Sequence, residues 1–328
     1  MPGCGEIKTH DTRDLIRACS DPKLSMKTTL LLRAACLAAA LACANAPAAI
    51  IYERISAYHR VRVIDDQGVR TLSFNNSQES RMSLANPLRG HFQYTEYFQM
   101  PWVWNRDVKR VLMAGLGGGS TQRAYQHYAT NVTVHTVELD PVVVSVAEKY
   151  FGVTETARHQ IFTDDARVFL RRTTNTYDVI LMDAYSTTRY GSSLPPHLTT
   201  KEFFTIASQH LGTNGVLAYN VIGQIDGWRA NVIGALYRTM KEVFPQVYLF
   251  PAEDSQNVVM IGTKSKVLFD LARVRAEGEI LTRSGTMRHP AFNNRLRFFS
   301  NKPPAAASRS PVLTDDFAPI ESLLNGGQ

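Results

Sequence analysis

Cysteine is scarce in this chain and badly distributed for chemistry. The four cysteines (Cys4, Cys19, Cys36, Cys43) all precede residue 47. Everything after that point is cysteine-free, which excludes a disulfide, a thiol nucleophile or a cysteine-based metal site there. The nine histidines show no metal-ligand spacing, so no metal is expected. No Lys/Arg run is interleaved with aromatics, although the formal net charge is +7. That argues against nucleic-acid binding and for a solvated surface with a basic excess. No apolar run reaches the roughly 20 residues a membrane-spanning helix needs, and no integral span is expected. There is no internal repeat. What remains is 328 residues of ordinary globular composition, 44% hydrophobic and 20% charged, long enough for a sizeable core.

From Met26 the chain reads MKTTLLLRAACLAAALACANAPAA. Lys27 and Arg33 form a short basic region, Ala34 to Ala44 a small-residue apolar run, and Ala44-Asn45-Ala46 fits a cleavage site. This is the pattern of a secretory signal; a buried Ala-rich helix is the alternative. Export to the periplasm is expected, or a cytoplasmic location if the signal is unused. Cys43 after Ala40-Leu41-Ala42 matches a lipoprotein signal poorly. Residues 1–25 are polar and precede the signal, consistent with Met26 as the true start. The expected organisation is an upstream segment and signal over 1–46, a β-hairpin domain over 47–104, a Rossmann-like domain over 105–300, and a linker and tail over 301–328.

Ile50 to Phe74 alternates in short segments broken by Asp65-Asp66-Gln67-Gly68, which predicts β-hairpins. Strands and helices then alternate. The strand VKRVLMAG meets the helix STQRAYQHYA. VTVHTVEL precedes a helix capped by Asp140 with Pro141 in its first turn. HQIFT, ARVFLRR and YDVILMDAY follow, then a helix capped by Thr199 or Thr200. GVLAYNVIG, WRANVIGALYRTMKEVF and a closing hairpin, QVYLFPAED with QNVVMIGTK, complete the pattern. Such alternation implies an α/β fold with a parallel sheet covered on both faces. NKPPAAASRSP reads as a linker.

In an open α/β sheet, ligands sit beyond the carboxyl ends of the strands. Collected there are Gly115-Leu-Gly-Gly-Gly119, Glu138-Leu-Asp140, Asp164-Asp165 and Asp183-Ala-Tyr185. The glycine loop has Ser120 where a dinucleotide fingerprint wants its third glycine. Glu138 is placed to accept both ribose hydroxyls, as in NAD or S-adenosylmethionine enzymes. Asp165 could accept from an adenine amino group, which favours an adenosine thioether or sulfonium over a dinucleotide. The bland alternative is that these acids only cap helices.

Phe92 to Val221 resembles the polyamine aminopropyltransferase family, the spermidine synthases. The family's F-x-Y-x-E stands as Phe92-Gln-Tyr94-Thr-Glu96, and its G-G-G-D-G-G as Gly115 to Ser120. Its E-I-D stands as Glu138-Leu-Asp140, its G-D-G/A as Asp164-Asp165-Ala166, and its Y-D-V-I-x-x-D-S-x-D as Tyr177 to Ser186. The resemblance implies a class I S-adenosylmethionine-dependent transferase fold with a small N-terminal β-domain, and a dimer. It implies no tightly bound cofactor. Decarboxylated S-adenosylmethionine would be the co-substrate and a small-molecule amine or polyamine the acceptor. It assigns Asp183 and Tyr94 to catalysis, Asp183 taking a proton from the amine. Gly115, Gly117, Gly118, Glu138, Asp165 and Ala166 fall to the nucleoside donor, and Gln78, Tyr94 and Ser186 to the acceptor.

Two family acids are missing. The one that holds the donor's ammonium is Gly118 here, and one that holds the acceptor amine is Ser186. Restoring both acids is expected to favour a decarboxylated donor and a diamine. Their loss leaves two alternatives open: use of intact S-adenosylmethionine, by methyl transfer or cleavage, and binding of a polyamine or nucleoside without turnover. The loop Tyr185 to Pro196 reads as a lid, with Arg189 a candidate carboxylate partner and His197 a supporting residue. Asp315, Asp316 and Glu321 would either fold back toward the site or belong to a docked tail.

Overall fold

Apolar runs set the centre of the fold. The computed structural model describes residues 48–325 apart from 90, 189, 190 and 228. The signal segment and Arg189 lie outside the described residues. Seven strands form one sheet: β5 (Arg110–Ala114), β6 (Thr133–Glu138), β7 (His159–Thr163), β8 (Tyr177–Met182), β11 (Leu211–Ile222), β12 (Gln246–Pro251) and β13 (Asn257–Thr263). Their order is β12-β13-β11-β8-β5-β6-β7. β11, β8, β5, β6 and β7 pair in parallel, and β13 runs antiparallel to both of its neighbours. This is the Rossmann-type sheet with a closing hairpin that the sequence implies.

Strand period two decides which layer each residue joins. Leu112, Ala114, Ile180, Met182, Leu217 and Tyr219 enter a core with α4 (Ala166–Arg172), α5 (Lys201–Gln209) and α6 (Ala230–Lys241). Val111, Met113, Val179, Leu181, Val216 and Ala218 enter the opposite core. There they meet α1 (Tyr94–Tyr97), α2 (Ser120–Tyr128) and α7 (Leu271–Arg283). Caps begin the helices where the sequence places them. The Asp140 side chain accepts from the Val142 N–H at the start of α3 (Pro141–Phe151), and Thr200 from that of Phe203 at α5.

A second sheet precedes the first: β1 (Ala49–Ile55), β2 (Arg60–Asp66), β3 (Val69–Phe74) and β4 (Ser77–Ser83), in that order. Val61, Val63, Leu72 and Met82 pack on Val142, Val143, Val146 and Phe151 of α3. β4 is a strand the sequence pattern hides, because SQESRMS has no apolar alternation. α7 is likewise unforeseen.

The expected linker is part of the fold. Pro304, Ala306, Ala307 and Ser310 are buried. The 3-10 turn Ala305–Ser308 lies on α6, where a Cβ on Gly234 would come within 2.6 Å of the Ser310 Oγ. Small residues are there for close approach rather than mobility. The tail docks through Asp315, which accepts from Arg167 Nη1 at 2.8 Å and from Thr200 Oγ1 at 2.7 Å. A short helix, Ile320–Leu324, follows it. Among the described residues, no helix is long and apolar enough to cross a membrane.

Candidate active site

From β5 the chain builds outward first through β6 and β7, then crosses back to β8. The crevice this reversal opens lies at the carboxyl ends of β5 and β8. Two loops meet there. The Asp183 N–H donates to the Ala114 carbonyl at 2.8 Å, and Gly115 runs against the Asp183 backbone. Gly115 has φ +94°, and a Cβ on it would lie 2.3 Å from the Asp183 carbonyl oxygen.

The cavity above these loops is lined by Gly115, Gly117, Glu138, Asp165, Ala166, Tyr94, Asp183 and Ser186 from the sequence assignment. Gly118 and Gln78 are not in the lining. Six carboxylates border it (Glu79, Glu138, Asp140, Asp164, Asp165, Asp183) and, among the described residues, no lysine or arginine. A cation fits such a wall; an anion does not.

At one end of the cavity, Glu138 accepts from the Leu116 N–H through Oε2 and from the Asp140 N–H through Oε1, each at 2.9 Å. These donors, with the Gly117 N–H beside them, fix the carboxylate at the cavity wall. Burial pushes this carboxyl up, and the backbone N–H groups oppose it. Asp165 is both helix cap and pocket wall. Its Oδ1 accepts from the Arg167 and Val168 N–H groups at 2.9 Å, while Oδ2 meets His197 Nε2 at 2.8 Å. Burial raises the Asp165 carboxyl, but the His197 contact and the α4 N–H groups outweigh it and leave it below its ordinary value.

At the other end, Asp183 Oδ1 accepts from Asn220 Nδ2 at 2.8 Å, and Oδ2 lies 3.5 Å from the Tyr94 hydroxyl, long for O–H···O. Burial first, then the charge of Glu79, push the Asp183 carboxyl up to about 7 against the Asn220 and Tyr94 hydrogen bonds. A carboxylate so placed holds or releases a proton near neutrality. Tyr94 is raised well above its usual value, mainly by burial. Ser186 opens the hairpin of β9 (Ser186–Thr188) and β10 (Gly191–Ser193), and its Oγ donates to the Ser193 carbonyl at 3.3 Å. None of Asp315, Asp316 and Glu321 borders the cavity.

Gly118 corrects an expectation. A Cβ there would lie 2.8 Å from the Ser80 Cβ and 3.1 Å from the Phe151 ring, and the Gly118 N–H donates to Ser80 Oγ at 2.8 Å. The side-chain direction at 118 leads into β4 and α3, not into the pocket. Gly118→Asp alone is therefore expected to lose roughly 1–3 kcal/mol of stability through overpacking rather than to gain a donor site. Paired with Ser80→Gly it should recover part of that loss. Thermal melting of the two variants checks this; a single variant as stable as the parent would show that β4 yields freely.

Two residues of the site escaped the sequence reading. Asn220 is a fully buried amide inside the apolar strand LAYNVI, a polar interruption that could have flagged it. Glu79 carries no such signal. β4 pairs Leu72 with Ser80 and Ser73 with Gln78, so Glu79 is the extra residue of a β-bulge. The bulge breaks the strand's alternation: Glu79 and Ser80 both face the cavity, while Gln78 is exposed.

Comparison with known proteins gives concordant results. The sequence model of the spermine/spermidine synthase domain matches residues 91–253. A polyamine aminopropyltransferase of Vibrio vulnificus is 31% identical over 221 residues, 64% of this chain and 71% of that protein. A probable polyamine aminopropyl transferase of Bifidobacterium longum is 27% identical, over 66% of this chain and 49% of its own length. Among solved structures, a probable spermidine synthase from Corynebacterium glutamicum superposes with TM-score 0.63 at 19% identity, covering 83% of this chain and 99% of that one. Human methyltransferase-like protein 13, in complex with SAH, gives 0.54 at 19%, over 60% and 94%. These two structures speak to fold alone. The sequence relatives place the chain: it belongs to the polyamine aminopropyltransferase, or spermidine synthase, family.

Proposed function

We propose that this protein transfers an aminopropyl group from decarboxylated S-adenosylmethionine to a small amine. The observation that carries this reading is Asp183: a carboxylate held by Asn220 beside Tyr94, raised to about 7, directly across from the glycine loop. Glu138 would hold the ribose and Asp165 with Ala166 the adenine edge. The amine gives its proton to Asp183. Its nitrogen lone pair then forms a bond to the methylene carbon beside the sulfonium, the carbon–sulfur bond breaks, and its electron pair leaves on sulfur as methylthioadenosine.

The all-acid lining supports the decarboxylated donor over intact S-adenosylmethionine, whose carboxylate would meet no lysine or arginine among the described residues. Incubation with 1,4-diaminobutane and either donor, followed by chromatography of the nucleoside products, tests this. Methylthioadenosine from the decarboxylated donor, in step with an aminopropylated amine, is expected. Turnover of intact S-adenosylmethionine instead would establish the methyl-transfer or cleavage reading, and nucleoside binding with no turnover the binding-protein reading.

A further inference from the structure

The acceptor end of the cavity lacks the acid that the family places at Ser186, yet it is not short of negative charge. Glu79 reaches it from a different element. The bulge in β4 turns two neighbouring residues to the same face, and they part company there. Ser80 goes to the glycine loop, accepting from the Gly118 N–H. Glu79 goes across to the β9–β10 hairpin, where its Oε1 accepts from Ser192 Oγ at 3.0 Å. Among the described residues its hydrogen-bond partners are the Ser77 and Ser192 hydroxyls. The same cavity is lined by Tyr58 and by the stacked pair His59 and Phe74, whose rings lie 4.4 Å apart and nearly parallel. Phe92 and Tyr94 add two more rings to the lining.

Two carboxylates and several aromatic faces lining one cavity are the chemistry of an alkyl diammonium chain. The methylenes lie on the rings, and each ammonium finds an anion. We infer that Glu79 is a specificity residue that binds the distal ammonium of a diamine acceptor, so that the bulged strand supplies the acid missing at Ser186. This rests on the acceptor being an amine, as proposed above. Asp183 then serves the reacting nitrogen and Glu79 the far one. Burial, eased by the Ser77 and Ser192 hydroxyls, raises the Glu79 carboxyl, and its charge in turn raises Asp183. Two acids that each raise the cost of the other's ionisation attract a doubly charged ligand more strongly than a singly charged one.

Calorimetry in the presence of methylthioadenosine tests the assignment, with 1,4-diaminobutane and 1-aminobutane as probes on the wild type and Glu79→Gln. The glutamine keeps a partner for Ser192 and removes only the charge. The variant is expected to bind the diamine about ten- to a hundredfold more weakly, with a much smaller change for 1-aminobutane and none for methylthioadenosine. Equal diamine affinity in the two proteins, or no diamine uptake by the wild type, overturns it. Glu79-dependent diamine binding in a protein that releases no methylthioadenosine would sustain this site while removing aminopropyl transfer.

Discussion

Replacing Asp183 by asparagine is expected to lower turnover by about 10²–10⁴-fold and, above pH 7, to make the protein more stable. Both effects come from one cause. Burial raises this carboxyl from 3.8 to about 7. In the unfolded chain it ionises near 4, whereas in the folded protein it keeps its proton until about 7. The folded state therefore binds more protons across that window, and stability falls as pH rises through it. By pH 8 the full penalty is present, on the order of 2–4 kcal/mol once water in the cavity is allowed for. Asparagine avoids it while still accepting from Asn220. Below pH 4 the two proteins should melt alike. Wild-type activity should run the other way, rising with pH toward a plateau above about 7 as the proton acceptor ionises. Melting temperatures at pH 4 and 8, with a kcat/KM profile between them, check all three. A variant that is inactive yet less stable at pH 8 would mean that Asp183 is held as an anion for structural reasons.

Gly115→Ala should be nearly as damaging, without touching a single reacting group. The added Cβ would sit 2.3 Å from the carbonyl oxygen and 2.8 Å from the carbonyl carbon of Asp183, on a residue with φ +94°. Neither atom is the end of a flexible side chain, so the loop after β8 must move. Overpacking and left-handed strain together cost roughly 2–5 kcal/mol. A displacement of about 1 Å at the proton acceptor is worth about 10²-fold in rate. Gly152 offers the control: its φ is +69°, but an added Cβ there meets nothing within 4 Å. Gly152→Ala should melt a few degrees lower with normal turnover. If Gly115→Ala matched it in turnover, the contact between the two loops would not be what positions Asp183.

The parts of this molecule legible in its sequence are those where one local rule decides. The sheet could be read because LMA, VILM and VLAYNVI are apolar enough to be nothing but central strands. The acids at the strand ends could be read because a parallel sheet gathers all its carboxyl ends on one rim. α7 was hidden because only Val274, Gly278 and Leu281 of its thirteen residues are buried, too thin a stripe to stand out among its charges. The chain 301–310 was misread because proline, alanine and serine are as suited to close packing as to a linker. Position 78 misled for a different reason. The resemblance points to Gln78, but a single bulge shifts the facing side chain by one place, and no propensity signals a bulge in SQESRMS. Gly118 was legible as a missing acid, while its orientation toward Ser80 and Phe151 depends on how two sheets meet.

The amide of Asn220 has one further effect. Its Oδ1 accepts from Asn257 Nδ2 at 3.0 Å, so its Nδ2 must turn to Asp183; reversed, it would set oxygen against a carboxylate oxygen. The Asn220 carbonyl in turn accepts from the Tyr185 hydroxyl at 2.7 Å. Asp183 is thereby made a carboxylate with two unlike oxygens. Oδ1 is occupied permanently by a donor on β11, itself oriented from β13, and Oδ2 alone is left to the cavity. A proton that arrives at this acid has a defined address and a defined direction of approach. The handedness of that arrangement is written by the antiparallel strand next to β11, which contributes no atom to the cavity wall.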